Sequence, residues 1–215
     1  MNRQAWRSTT GRNSVISQSE LEFRVLPMLG WDGQAAVKAR AWSTTRIVVC
    51  SLDKAGHQRR SDAGHLPVTD PLMLRCALSS DPAFRDAPPP VTITGAIAVR
   101  RTWQGATANL GGFSAFGSRV AVLPPEEAVR PDVGLEAALE GYGIIALDGE
   151  HRAWVVHHPD TRPRTGARTW VHRLVEEIIY SALLAARDGE RATAPTEPPN
   201  CAGTPVPSTR RGHPV

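Results

Sequence analysis

Lysine is nearly absent from this chain. Of 25 basic residues among 215, only Lys38 and Lys54 are lysine and the rest are arginine. A GC-rich coding sequence accounts for such a bias without any function. The functional alternative is that arginine serves bidentate phosphate or carboxylate recognition. Cysteine is scarce too. Cys50, Cys76 and Cys201 are odd in number and far apart, with no C-x-x-C spacing for zinc or redox work. Cys50 lies in an apolar strand-like run and Cys76 in a helix-like one, where thiols pack as small hydrophobes. No run of about 18 apolar residues occurs, so no segment spans a bilayer as a helix. Residues 1–20 lack the apolar stretch of a signal peptide. Together these point to a cytoplasmic protein with no membrane partner.

The residues present describe an ordinary globular chain. Apolar residues make up 41% and charged residues 21%, which rules out a wholly disordered chain, a collagen or a membrane bundle. The net charge of +4 is mild and alone is poor evidence for nucleic-acid binding. Its distribution is uneven. Segment 151–173 holds Arg152, Arg162, Arg164, Arg168 and Arg173 against Asp160 alone, a local sum equal to that of the whole chain.

Three regions follow from composition. Residues 1–20 read as a flexible arm. Residues 188–215, with six prolines and no aromatic residue, cannot bury enough surface to offset ordering entropy and read as a disordered tail. Residues 21–187 form a single α/β domain with a mixed β-sheet flanked by helices.

Within that domain, Leu21 to Leu26 reads as a short strand. The Ala-rich run ending at Trp42 is strand or short helix. Arg46 to Leu52 is a nearly continuous β-branched run, as in a strand covered on both faces. Lys54 to Leu66 and Asp81 to Pro90 read as loops. Asp70-Pro71 starts a helix, with Asp as N-cap and Pro at the first position, running to about Leu78. Val91 to Arg100 and Ser118 to Leu123 are strands. Gly111 to Gly117 is a short helix or a tight Gly-rich packing site. Asp132 to Glu140 is a helix with Leu135, Ala138 and Leu139 on one side and Gly141 as C-cap. Gly143 to Leu147 and Arg152 to His157 are strands joined at the Asp148-Gly149 hairpin signal. Thr169 to Arg187 is an amphipathic helix. Val171, Leu174, Val175, Ile178, Ala182 and Ala185 form its apolar stripe, and His172, Arg173, Glu176 and Glu177 its polar face. Strand 118–123, helix 132–140 and strand 143–147 make a β-α-β unit, which implies a parallel pair.

Chemistry-bearing residues gather in two places. Arg162, Arg164 and Arg168 lie in a loop entering a helix N-terminus, where free N–H groups and guanidinium forks suit phosphate. Trp154 and Trp170 lie near that loop and could stack on bases, and Arg100, Arg101 and Trp103, which follow a strand directly, could form a nucleic-acid patch. A solvated loop and a solvated strand end with Trp103 packed back are the simpler alternatives. His157, His158 and Asp160, and His172 with Glu176, are spaced for a metal, but no H-E-x-x-H or H-x-E pattern accompanies them, and an i,i+4 salt bridge is the simpler reading. Ser114 lacks the nucleophile-elbow pattern. No catalytic residue, metal site or cofactor is assigned.

From Ser118 onward, SRVAVLP, LEAALEGYG and IIALDGEHRAWVVHHPDTRPR resemble the C-terminal half of restriction-endonuclease-like domains of the PD-(D/E)XK superfamily. LPMLGWDGQAAVKARAWSTTRIVVCSLD is similar in outline to the helix and first strands of that fold. The resemblance puts VTITGAIAVRRTW where the family's metal-binding E-x-K strand belongs. At that place this chain reads Ala98-Val99-Arg100, without the acid and with arginine for lysine. Thr45-Arg46 stands where the family's Asp precedes an apolar strand. The resemblance therefore implies a nucleic-acid-associated protein whose nuclease centre is degenerate, since Mg²⁺ lacks two carboxylate anchors. A second reading is a protein-interaction or assembly module using the last helix and the Pro-rich tail.

Overall fold

The computed structural model describes residues 20–41, 44–87, 90–161 and 169–193. Arg162, Arg164 and Arg168, the arm before residue 20 and the tail beyond residue 193 lie outside these. Six strands form one sheet: β1 (Ala35–Ala41), β2 (Thr44–Leu52), β3 (Val91–Val99), β4 (Ser118–Leu123), β5 (Tyr142–Leu147) and β6 (Ala153–His157). Their spatial order is their chain order. β1, β2 and β3 pair antiparallel, β3, β4 and β5 pair parallel, and β6 returns antiparallel. This is an α/β fold with a mixed sheet flanked by helices. The carboxyl ends of β1, β3, β4 and β5 and the start of β2 consequently share one end of the sheet.

The helices are α1 (Lys54–Asp62), α2 (Pro71–Ser80), α3 (Pro82–Asp86), α4 (Trp103–Leu110), α5 (Pro125–Ala128), α6 (Pro131–Glu140) and α7 (Trp170–Thr193). Local chemistry sets their ends. The Asp70 carboxylate accepts from Met73 N at 2.8 Å, with Pro71 in the first turn. Asp81 caps α3 through Phe84 N, and Thr102 caps α4 through Gly105 N. Gly141 closes α6 at φ 72°, a left-handed conformation that glycine adopts without strain.

Two apolar layers enclose the sheet. On one face α4, α6 and α7 pack Trp103, Ala106, Leu110, Val133, Ala137, Val175, Ile179, Tyr180 and Leu183 against Val37, Val48, Ala96, Ala121 and Ile144. On the other, Leu21, Val25, Leu26 and Trp31 cover Ala36, Val49, Ile97, Val120, Val122 and Ile145. A bulge in β3 keeps the layers in register. Val49 pairs with Gly95 and Cys50 with Ile93, so Thr94 is the extra residue. That shift puts Val91 and Ile93 on the same face as Ala96 and Ala98.

Several elements depart from the sequence expectation. Leu21–Val25 is a single π-helical turn rather than a strand. Leu21 and Val25 satisfy both a two-residue and a four-residue period, and exposed Phe23 decides against the strand. Residues 54–62 form a helix, not a loop, because the side chain that docks it is Arg60 rather than an apolar residue. Residues 82–86 are helical. On α6 the core face is Val133 and Ala137, while Leu135 and Leu139 are 64% and 80% exposed. The small Ala137 lets the helix sit close on the sheet at a four-residue spacing.

The last helix carries the largest correction. It runs on through Asp188-Gly189 to Thr193. Arg173 and Glu177 are buried, not solvated. Glu177 Oε1 accepts from Arg60 Nη1 at 2.6 Å and from Arg173 Nε at 3.0 Å, and Oε2 accepts from Val68 N at 3.3 Å. Arg60 also donates to the carbonyls of His65 and Leu66, and Arg173 to that of Ala87. Both guanidinium groups lie 5.0 Å from the Phe84 ring centroid. Satisfied donors make this burial tolerable and tie α1, α3 and α7 together. Val175, Ile179, Tyr180 and Leu183 of α7 pack on the sheet, while Leu174 packs against Leu74 and Phe84.

Candidate functional site

A cleft of about 480 Å³ opens at the end of the sheet where β1, β3, β4 and β5 finish and β2 begins. In open α/β sheets ligands bind at the carboxyl ends of parallel strands. Its apolar floor is Ile47, Ile97, Val99, Val122 and Leu147. These residues belong to the second face of the sheet: Ile97 and Val122 are buried beneath the Leu21–Leu29 segment, and Ile47, Val99 and Leu147 are half-buried at its margin. Strand alternation sets them there: Ile97 and Val99 on β3 are two residues apart and share a face.

The polar wall is basic. Lys38, Arg46, Arg100 and Arg101 line the cleft, with Asp148 as the single acid among its lining residues. Asp148 is already committed. Its Oδ1 accepts from Glu150 N and Arg152 N, and its Oδ2 from Arg152 Nε at 2.7 Å. The Arg152 guanidinium holds its carboxyl below the usual carboxylate range. The cleft therefore presents net positive charge to a ligand.

Lys38, Arg100 and Arg101 are exposed. Arg100 Nη1 donates to the Val99 carbonyl at 2.8 Å, which folds its side chain back along the strand end. Arg46 differs, being 6% exposed. Its Nε donates to the Asn109 backbone carbonyl at 2.7 Å. Burial lowers its pKa, but a guanidinium stays charged in proteins. Asn109 answers from α4. Its Nδ2 donates to the Thr45 carbonyl at 3.3 Å, so β2 and α4 are cross-tied twice. The Asn109 Oδ1 is buried without a hydrogen-bond partner in a side chain only 5% exposed. A buried orphan acceptor costs on the order of 1–3 kcal/mol and invites a donor into the cleft.

The residues expected from sequence separate. Arg100 and Arg101 are brought to the cleft wall. Trp103 is not. It is 4% exposed, begins α4 and meets Tyr142 edge-on at 5.3 Å between ring centroids. Its ring is core and offers no face to a base. Ala98 is 2% exposed and borders the cleft beside Arg100.

The histidines disperse. His157 Nδ1 lies 2.9 Å from the Tyr142 carbonyl, and His172 Nδ1 lies 2.8 Å from Thr169 Oγ1 with its ring against Phe116. Among the described residues no group of three His, Cys, Asp or Glu side chains is placed to hold a metal ion. Gly117 is the tight packing site of the Gly-rich run: an added Cβ would meet the Thr94 carbonyl at 2.7 Å.

Lys38, Arg46 and Asn109 were not nominated from sequence. One signal was there for Arg46. It shares the parity of Val48 and Cys50, so in a two-sided strand it had to be buried. Comparison with family models, curated proteins and solved structures finds no match. The site therefore rests on its own geometry. Among the described residues no helix is long and apolar enough to cross a membrane.

Proposed function

We propose that this protein binds nucleic acid through the cleft at the carboxyl ends of β3, β4 and β5. The observation that carries the reading is four cationic side chains, Lys38, Arg46, Arg100 and Arg101, around one carboxylate already paired with Arg152. Guanidinium forks match phosphate oxygens bidentately. The element order also supports it. From β4 onward, a strand ending at Pro124, helix α6, strand β5 and a hairpin return follow the order that the resemblance to restriction-endonuclease-like domains implies. The E-x-K place of that resemblance falls on the cleft wall. With Ala98 there instead of an acid, the proposal is binding without phosphodiester hydrolysis. The second reading, an interaction module using the last helix and the Pro-rich tail, would have to use surfaces of α7 other than Val175, Ile179, Tyr180 and Leu183, which pack on the sheet.

Fluorescence anisotropy with labelled DNA over a salt series tests the proposal. Three exposed cations give a slope of log K against log salt of about −2 to −3. No measurable binding at low salt contradicts it.

A further inference from the structure

We infer that the cleft takes an unpaired nucleotide, with its base on the apolar floor and its phosphate on the arginine rim. This rests on the nucleic-acid reading and narrows it to single-stranded or locally opened substrate. Three observations carry it. The cavity volume, about 480 Å³, falls within the range of small-molecule pockets and is concave, whereas a duplex presents a convex phosphate surface. Its accessible floor is aliphatic: Ile47, Val99 and Leu147. Phosphates and sugars gain nothing from such a floor, but the face of an unstacked base does. Asn109 lines the same cleft with a buried acceptor that has no partner.

The orientation of the Asn109 amide is set by the structure. Nδ2 is used on the Thr45 carbonyl, and turning the amide over would face two oxygens together. The free group is thus an acceptor and calls for a donor. Each base carries a donor on its pairing edge, an exocyclic amine on adenine and cytosine, a ring N–H on thymine and uracil and both on guanine, and pairing in a duplex occupies it. The ligand class is therefore a nucleotide whose pairing edge is free. Arg100 and Arg101 stand at the rim, where the attached phosphate would lie.

The test compares labelled probes of about 12 nucleotides, within the range of single-strand site sizes, on the full chain. They are oligo-dC, oligo-dT, an abasic phosphodiester of equal length and a mixed-sequence duplex. The expected result is that oligo-dC and oligo-dT each bind about tenfold or more tighter than the abasic strand and the duplex, because base contacts add to phosphate contacts. Asn109→Leu should weaken oligo-dC and oligo-dT binding several-fold while leaving binding to the abasic strand unchanged. If that variant does not fold, the wild-type comparison decides. Duplex or abasic binding as tight as oligo-dC overturns the unpaired-nucleotide inference and leaves the nucleic-acid reading standing. Absence of binding to every probe at low salt overturns both.

Discussion

Glu177 sits between two guanidinium groups at 1% exposure, with Arg60 and Arg173 both buried beside it. Removing one member of such a cluster leaves uncompensated buried charge, which costs about 3–5 kcal/mol. Glu177→Ala is expected to lose stability of that order in guanidinium denaturation, with the midpoint falling and little change in slope. A loss below about 1 kcal/mol, the range of a surface pair, would show that the cluster is more hydrated than its geometry states. Cys50 offers a second residue-scale test. Burial pushes its thiol up to about 12 from the usual 9.0. The unfolded thiol ionises first, so the contribution of Cys50 is intact below about pH 9 and declines as pH rises towards about 12. Burial raises Tyr142 and Tyr180 as well, so the difference between proteins is the readout. Denaturation midpoints of Cys50→Ala should fall less steeply above pH 9 than those of the wild type, and parallel curves would contradict this.

At the scale of elements, two close contacts are testable. At Gly95 an added Cβ would lie 2.7 Å from both the Ser118 carbonyl and a Trp31 ring carbon. Gly95→Ala must therefore push β4 or Trp31 away, at about 1–3 kcal/mol, read as a lower thermal midpoint and altered tryptophan emission. Unchanged stability would mean that the β3 to β4 contact is looser than described. The Asp70 cap is a smaller case: Asp70→Ala is expected to cost about 1 kcal/mol, measured by denaturation. Elements were legible from sequence where local chemistry alone dictates them. β2, β3, β4, β5, the Asp70 cap and the Gly141 stop all belong to this class. Those that failed are held by tertiary partners. α1 has no apolar stripe, since Arg60 docks it through Glu177, over a hundred residues away. α6 turns small residues inward and leaves Leu135 and Leu139 outside. The start of α4 hides Trp103 because Tyr142 of a distant strand covers it.

At the scale of the whole molecule, the chain-order sheet brings the ends of β1, β3, β4 and β5 to one edge. That topology, which the β-α-β pattern foretold only for β4 and β5, assembles Lys38, Arg46, Arg100, Arg101 and Asn109 around one apolar floor. Two of these five residues, Arg100 and Arg101, were readable beyond an apolar strand. Lys38, Arg46 and Asn109 were not, because their meeting depends on the β1 to β3 meander and on the α4 crossover. The central claim is that this cleft binds nucleic acid through its cationic rim. It is tested most directly by the salt dependence of DNA affinity in the wild type and in Arg100→Ala/Arg101→Ala, whose exposed side chains can be removed without opening the core. The double variant should bind more weakly. Its slope of log K against log salt should be shallower by about 1.4 to 1.8, for two lost phosphate contacts on single- or double-stranded DNA. Equal affinity and equal slope in the two proteins would contradict the account.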